Sequence, residues 1–373
     1  MRKNLLIATR VTITVVNDLS QDQRVHRIAS TLQAHGYEVW VIGRQLPDSL
    51  PITARPYHTR RLKLLFTRGK LFYLEFNIRL FFFLLFFKVD VLNACDLDTL
   101  LANFLVSRFR GRGLVYDSHE YFTEVPEVVG RPLTQRIWLT LEKWIFPRLR
   151  HAYTVNDSIA QVYQTLYQVP VHTIRNVPLP KAIEARTDKE NIIIYEGMVN
   201  VGRGIDLMIR AMKYLPGYVF WVVGKGDVLE ELKALTHELG LEKQVIFKGF
   251  VPFDSLSLLT RQAKVGVSLF EEMGKSHHFI SPNKLYDYIQ ARVPVIGSDM
   301  PEQRKIIESF DTGKILLHKD RDPQLLADMI LSLTQDPQQY QELVDNCDRA
   351  AQILNWEAEK EKLLKIYEDA QRK

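Results

Sequence analysis

Cysteine is scarce: 373 residues hold only Cys95 and Cys347. Two thiols give neither a disulfide framework nor a metal-ligand spacing, so the chain is expected in a reducing compartment, the cytoplasm. Glycine is missing where a dinucleotide would need it. No Gly-x-Gly-x-x-Gly follows the first strand, which disfavours a nicotinamide-dependent oxidoreductase. Long hydrophobic runs are absent too. In the most apolar segment the longest run, Leu80–Phe87, has 8 residues, against the roughly 20 that span a bilayer. The start, Met1-Arg2-Lys3-Asn4-Leu5-Leu6-Ile7-Ala8, reads as a first strand. It has no long apolar core and no small-residue cleavage site, so it is not read as a signal peptide.

What is present is the composition of a soluble globular protein, with 46% hydrophobic and 25% charged residues, in a chain long enough for two domains. Charge is uneven. Residues 1–180 carry 23 Lys and Arg against 14 Asp and Glu, net +9, and the remainder 26 against 30, net −4. A basic half of this kind meets an anionic membrane, nucleic acid or a phosphorylated substrate, or is a solvated surface. The aromatic residues there lie in apolar runs rather than between Arg and Lys, which disfavours nucleic acid.

The first half alternates strands and helices. A strand within Leu5–Val16 is followed by a polar loop, Asn17 to Val25. Val25, Ile28, Ala29 and Leu32 then mark one helical face, and Glu38–Gly43 is a second strand, a βαβ unit with a parallel sheet. Leu71–Phe87 admits two readings: a helix buried against the sheet, or a membrane-facing surface, with Arg60, Arg61, Lys63, Arg68 and Lys70 just upstream. Lys88–Ala94 and Leu114–Tyr116 are further strands. They end at Asp96, Asp98, Asp117, His119 and Glu120, where an open α/β sheet places its ligands. The proline-rich exit Thr173–Pro180 leads to a polar linker, Lys181–Glu190.

The second half restarts the pattern. Asn191–Gly197 is a strand into the loop Met198–Gly204. Tyr218–Gly224 is a strand ending at Gly224-Lys225-Gly226, and Val245–Pro252 and Ala263–Phe270 are further strands. In Phe279–Asp299, Ser281 suits an N-cap and Pro282 the first helical position, and Leu285, Tyr288 and Ile289 form an apolar face. Unpaired amides at that helix start, with Lys284, suit a phosphate; Asp287, one turn on, suits a sugar hydroxyl. Two βα arrays joined by a linker predict two doubly wound Rossmann-like domains facing a cleft: 1–180, 181–355, and a last helix over 356–373.

Several pieces in this order resemble a retaining glycosyltransferase of the two-Rossmann-domain (GT-B) type, glycosyltransferase family 4. They are Asp22-Gln23-Arg24-Val25 with Gly36-Tyr37-Glu38-Val39, Tyr116-Asp117-Ser118-His119-Glu120, Tyr195-Glu196-Gly197 with Arg203-Gly204, Val223-Gly224-Lys225-Gly226, Pro282-Asn283-Lys284-Leu285-Tyr286-Asp287-Tyr288 and Asn355-Trp356-Glu357. The resemblance covers nearly the whole chain. It implies a C-terminal helix that crosses back to the first domain, and a nucleotide-diphosphate-sugar donor, UDP- or GDP-linked, with no further cofactor and no metal. Arg203 and Lys284 would face the diphosphate, with Gly197, Gly204, Gly224, Lys225, Gly226, Pro282, Asn283 and Leu285 around the nucleotide. Asp287 stands where the family has the glutamate that holds the ribose. His119 matches the active-site histidine, so His119, Arg203 and Lys284 form the implied catalytic set.

One departure is plain: Phe279 stands where the family has the first of two glutamates, and Glu271, Glu272, His277 and His278 are the candidates to replace it. The implied acceptor is a glycan or lipid-linked sugar of the cell envelope, met by a cytoplasmic or peripheral membrane protein at an anionic inner surface. Asp96-Leu97-Asp98 has metal-like spacing but lies in the acceptor half, and is read as an edge of the cleft. A nucleotide-sugar epimerase of the same fold, and an inactive binding protein, are the alternatives.

Overall fold

A computed structural model of the chain describes residues 8–20, 22–180 and 189–372. The first seven positions of the expected opening strand and positions 181–188 of the expected linker lie outside the described residues. The chain divides into two compact units, Met1–Asn176 with Glu359–Lys373, and Val177–Ala358.

The first unit holds seven strands, β1 (Arg10–Thr14), β2 (Glu38–Arg44), β3 (His58–Leu62), β4 (Val91–Cys95), β5 (Gly113–Ser118), β6 (His151–Thr154) and β7 (His172–Thr173). All pair in parallel in the order β3-β2-β1-β4-β5-β6-β7. The central strands are buried on both faces because helices cover both sides; Val11, Ile13, Val91 and Leu92 have no exposure, nor have Thr12, Thr14 and Asn93. The helix Gln23–Ala34 starts where the Asp22 carboxylate accepts the Val25 N–H at 2.9 Å. Val25, Ile28, Ala29 and Leu32 then face the core, and so does Arg24.

The segment with two readings forms a helix over Gly69–Phe86. Phe72, Phe76, Leu80 and Leu84 pack with Ile42, Leu92 and Val106. Leu74, Ile78, Phe82 and Phe86 are exposed. Burial against the sheet therefore holds for one side of this helix only. Among the described residues no helix is long and apolar enough to cross a membrane.

The second unit has six strands, β8 (Ile192–Glu196), β9 (Val219–Val223), β10 (Val245–Gly249), β11 (Val265–Ser268), β12 (Val295–Ser298) and β13 (Gly313–Leu316), parallel in the order β10-β9-β8-β11-β12-β13. Strand order reverses between β1 and β4 in one sheet and between β8 and β11 in the other. At such a point the neighbouring loops diverge and leave a crevice beyond the strands' carboxyl ends. The last helix, Trp356–Gln371, ends in the first unit. There the hydroxyl of Tyr367 meets the Asn93 amide, Arg175 pairs with Glu359 at 3.2 Å, and a Cβ on Gly113 would fall 2.2 Å from the Ala370 carbonyl oxygen. No larger residue fits at Gly113 without moving that helix.

Candidate functional site

The second unit gathers positive charge at its switch point. Lys284 sits in the first turn of the helix Asn283–Gln290, after the β11 loop. Its side chain runs inward beneath the loop that follows β8, and the residue is 8% exposed. Nζ lies 3.6 Å from the ring centre of Tyr195 and 5.1 Å from that of Phe270. Arg203 Cζ lies 4.5 Å from the same Phe270 ring. Among the described residues no hydrogen bond or ion pair reaches the Lys284 ammonium. Burial pushes its pKa down, Arg203 pushes it further, and the nearby Glu196 only partly opposes them, leaving it well below the usual lysine range. Aromatic faces soften the cost of a buried cation but do not remove it. A buried ammonium beside a second cation suits an anion.

Glycines let two loops close around this point. Gly197 donates its N–H to the Val223 carbonyl, and Val199 to that of Lys225. Gly224 has φ 152°, and a Cβ there would lie 1.8 Å from the Gly197 carbonyl oxygen. A Cβ on Gly226 would come 2.2 Å from the Val199 oxygen, and one on Gly204, at φ 66°, as close to the Leu269 oxygen. These positions need glycine for close backbone approach. A Cβ on Gly197, at φ 124°, would touch the Lys284 terminus at 3.5 Å. Lys225 instead sits over Phe250, at 5.3 Å.

Ser281 and Pro282 differ from expectation. Pro282 takes the cap position and Asn283 the first helical one, with no side-chain cap bond. The Ser281 hydroxyl pairs with the buried Tyr286 hydroxyl at 2.8 Å, so it is not spent on a helix amide. Leu285 is in the core. Asp287 is half-buried beside a narrow cavity that it lines with Glu196, Thr260 and Gln290.

Phe279 closes the short helix Lys275–His278 and stacks edge-on against His278. The candidates for its missing carboxylate are already engaged with neighbours. Glu271 pairs with Arg321 at 3.3 Å, Glu272 with His278 at 2.8 Å, and His277 Nδ1 lies 3.3 Å from the Glu271 carbonyl oxygen.

The first unit builds its own cluster at the ends of β4 and β5. His119 Nε2 is 3.1 Å from Asp117 Oδ2, and Nδ1 is 3.5 Å from Asp96 Oδ2. The His119 backbone N–H donates to Asp96 Oδ1 at 2.8 Å, which fixes the residue's direction. Asp96 adopts φ 59°, a left-handed conformation that turns its carboxylate back toward the histidine. Behind them the buried Arg24 donates to Asp117 at 2.8 Å and to the Ile174 carbonyl at 3.0 Å.

Burial works against charge on His119, but Asp117 and Asp96 outweigh it and raise its pKa well above the ordinary value. For Asp117, burial would raise the carboxyl, yet Arg24 and then His119 hold it down to about 2. Both ring nitrogens thus face carboxylates, an arrangement that favours the charged imidazolium. Cys95, Asp117 and His119 offer ligand atoms within 4.8 Å of one another. Burial pushes the Cys95 thiol up to about 12 and Arg24 already engages Asp117, so the trio suits a hydrogen-bond network better than a cation. Asp98 lies in the first turn of the next helix, and Glu120 is exposed.

Sequence reasoning named His119, Arg203 and Lys284, and quoted Arg24 and Phe270 without giving either a role in the site. The signal for Arg24 was its position four residues before Ile28, on the helix's buried side.

Two parallel doubly wound sheets, each with a polar cluster at its switch point, define the GT-B class of fold. Residues 21–178 match the family described as Glycosyltransferase Family 4, and residues 179–352 match Glycosyl transferases group 1. The chain belongs to this group of glycosyltransferases. An uncharacterized glycosyltransferase of Methanocaldococcus jannaschii, MJ1607, is 36% identical over 92 residues, 23% of this chain and 24% of that protein; the matched stretch spans only about a quarter of that relative. Among solved structures, sucrose-phosphate synthase from Thermosynechococcus elongatus superposes with TM-score 0.78 and 19% identity over 97% of this chain and 98% of its own. Anabaena HepE in complex with UDP gives TM-score 0.74 and 14% identity, over 97% and 100%.

Proposed function

We propose that the protein transfers a sugar from a nucleoside-diphosphate donor to a glycan or lipid-linked acceptor of the cell envelope, in the cytoplasm, with retention of configuration. The carrying observation is Lys284: a buried ammonium that no hydrogen bond or ion pair reaches among the described residues, beside Arg203. A diphosphate supplies an anion for it. Arg203 and Lys284 bind it, and the amides at the start of Asn283–Gln290 add partial positive charge. The glycine-rich turns at Gly197, Gly204, Gly224 and Gly226, with Lys225, Pro282, Asn283 and Leu285, shape the nucleotide pocket, and Asp287 takes the ribose hydroxyls.

In the reaction the bond from the anomeric carbon to the diphosphate oxygen breaks, and its electron pair stays on that oxygen. Arg203 and Lys284 stabilise the growing negative charge, electrostatic preorganisation worth several kcal/mol in related settings. The acceptor oxygen bonds to the same face of the anomeric carbon, and its proton goes to the departing diphosphate. His119, held as a cation by Asp117 and Asp96, serves the sugar and acceptor from the first unit.

The HepE complexes with UDP and with UDP-glucose make uridine donors the first to test. A thermal-shift screen of nucleoside diphosphates and their sugars should show stabilisation by one base. Product analysis with the matching donor then separates transfer from epimerisation: an acceptor-dependent glycoside supports the reading, and a changed sugar nucleotide formed from donor alone rejects it.

A further inference from the structure

The helix Gly69–Phe86 is apolar on two opposite sides. Residues two apart on a helix differ by about 200°, so Leu74, Ile78, Phe82 and Phe86 lie opposite the core stripe Phe72, Phe76, Leu80 and Leu84. A helix at a protein surface ordinarily turns a polar face outward. Here the outward stripe is open to solvent, with Phe86 82% and Phe82 54% exposed. The preceding loop adds Leu65 at 79%. On the far side Phe81 bridges to the exposed Phe109, ring centres 6.2 Å apart, so the patch is continuous.

Charge beside the patch is of one sign. Residues 49–89 carry eight Lys and Arg and one acid, Glu75. That acid is consumed locally: it accepts the Leu65 and Phe66 N–H groups at 2.9 Å and pairs with Arg79 at 2.7 Å. Arg60 of the edge strand β3 and Lys63 just after it are exposed beside a groove of about 500 Å³ whose walls include Ile78, Arg79 and Phe82, while Arg61 is already engaged, donating to the Asp18 and Leu50 carbonyls at 2.6 and 2.7 Å. Cations above an apolar floor match an anionic lipid headgroup above its acyl chains.

We infer that this face is a membrane-docking surface: Ile78, Phe82 and Phe86 enter the headgroup–acyl boundary of a bilayer while Arg60 and Lys63 hold anionic headgroups. This face belongs to the first unit and the Lys284 pocket to the second, and its failure would leave the donor reading intact. Co-sedimentation of the full chain with vesicles of phosphatidylcholine, alone or mixed with phosphatidylglycerol, tests it. The wild type should bind the mixed vesicles, weaken as salt rises, and scarcely bind phosphatidylcholine alone. Ile78→Glu with Phe82→Glu, and separately Arg60→Glu with Lys63→Glu, should each weaken binding by on the order of tenfold or more. Unchanged melting and UDP affinity would show that both variants are folded. No binding by the wild type, binding indifferent to the anionic lipid, or wild-type binding by both folded variants overturns the inference. So does a dimer in sedimentation velocity that Ile78→Glu with Phe82→Glu dissociates, since the face would then belong to a second copy.

Discussion

Arg203 and Lys284 share one aromatic ring. The guanidinium carbon stands 4.5 Å and the ammonium nitrogen 5.1 Å from the centre of Phe270. Two cations held this close repel each other, and burial leaves the lysine reluctant to hold its proton. An anion bound beside them would reverse that reluctance.

The first prediction follows from linkage. A bound anion raises the Lys284 pKa from its depressed value toward the ordinary 10.5. In the pH range between those values the free protein has lost protons that the complex regains, so nucleotide binding takes up protons there and affinity falls as pH rises. Calorimetry in buffers of different ionisation enthalpy reads this directly, and Lys284→Met should abolish the uptake.

Arg24 and Asp117 form a buried pair at 2.8 Å, with exposures of 5% and 0%. Removing one partner strands the other, at a cost of about 3–5 kcal/mol. Arg24→Met should therefore lower unfolding free energy by that order in urea titrations. The Asp117 carboxyl is held down to about 2 from 3.8. The stabilisation it carries is thus present above the unfolded value and lost as pH falls through the folded one. This acid limb should shrink in Arg24→Met.

Gly224→Ala must displace backbone, because its Cβ would lie 1.8 Å from the Gly197 carbonyl oxygen at φ 152°. A loss of about 2 kcal/mol or more is expected from strain of this kind. Nucleotide affinity should fall with it, since Gly197 abuts Lys284. An equal melting temperature and equal UDP affinity would show that the loops do not hold the pocket.

Much of this was legible in the sequence because strand and helix periods are local. The face Val25, Ile28, Ala29 and Leu32 is read from spacing alone, and the strand ends put Asp96, Asp117 and His119 on one edge. The bond from Arg24 to Asp117 was not legible, since it joins positions 93 residues apart and depends on how β1 and β5 are placed in the sheet. Phe270 was hidden for a related reason: as the end of an apolar run it looks like core, and only its neighbours make it a platform for two cations. Ser281 misled because a good capping residue was drawn to the Tyr286 hydroxyl, a partner that local rules do not foresee. The Gly69–Phe86 helix was ambiguous because a segment apolar all round has no period to say which side is inward.

His119→Ala should lower turnover by about 10²-fold while leaving the dissociation constant for UDP near the wild-type value, because the proposed donor pocket lies in the second unit. Steady-state rates alongside equilibrium binding separate the two. A parallel loss in both would move His119 into donor binding.

The account turns on a diphosphate filling the place between Arg203 and Lys284. Isothermal titration of UDP into wild type, Arg203→Ala and Lys284→Ala tests it most directly. Loss of one charge-assisted contact should weaken binding roughly 10- to 100-fold in each variant. Two variants that bind UDP as tightly as the wild type would contradict the claim.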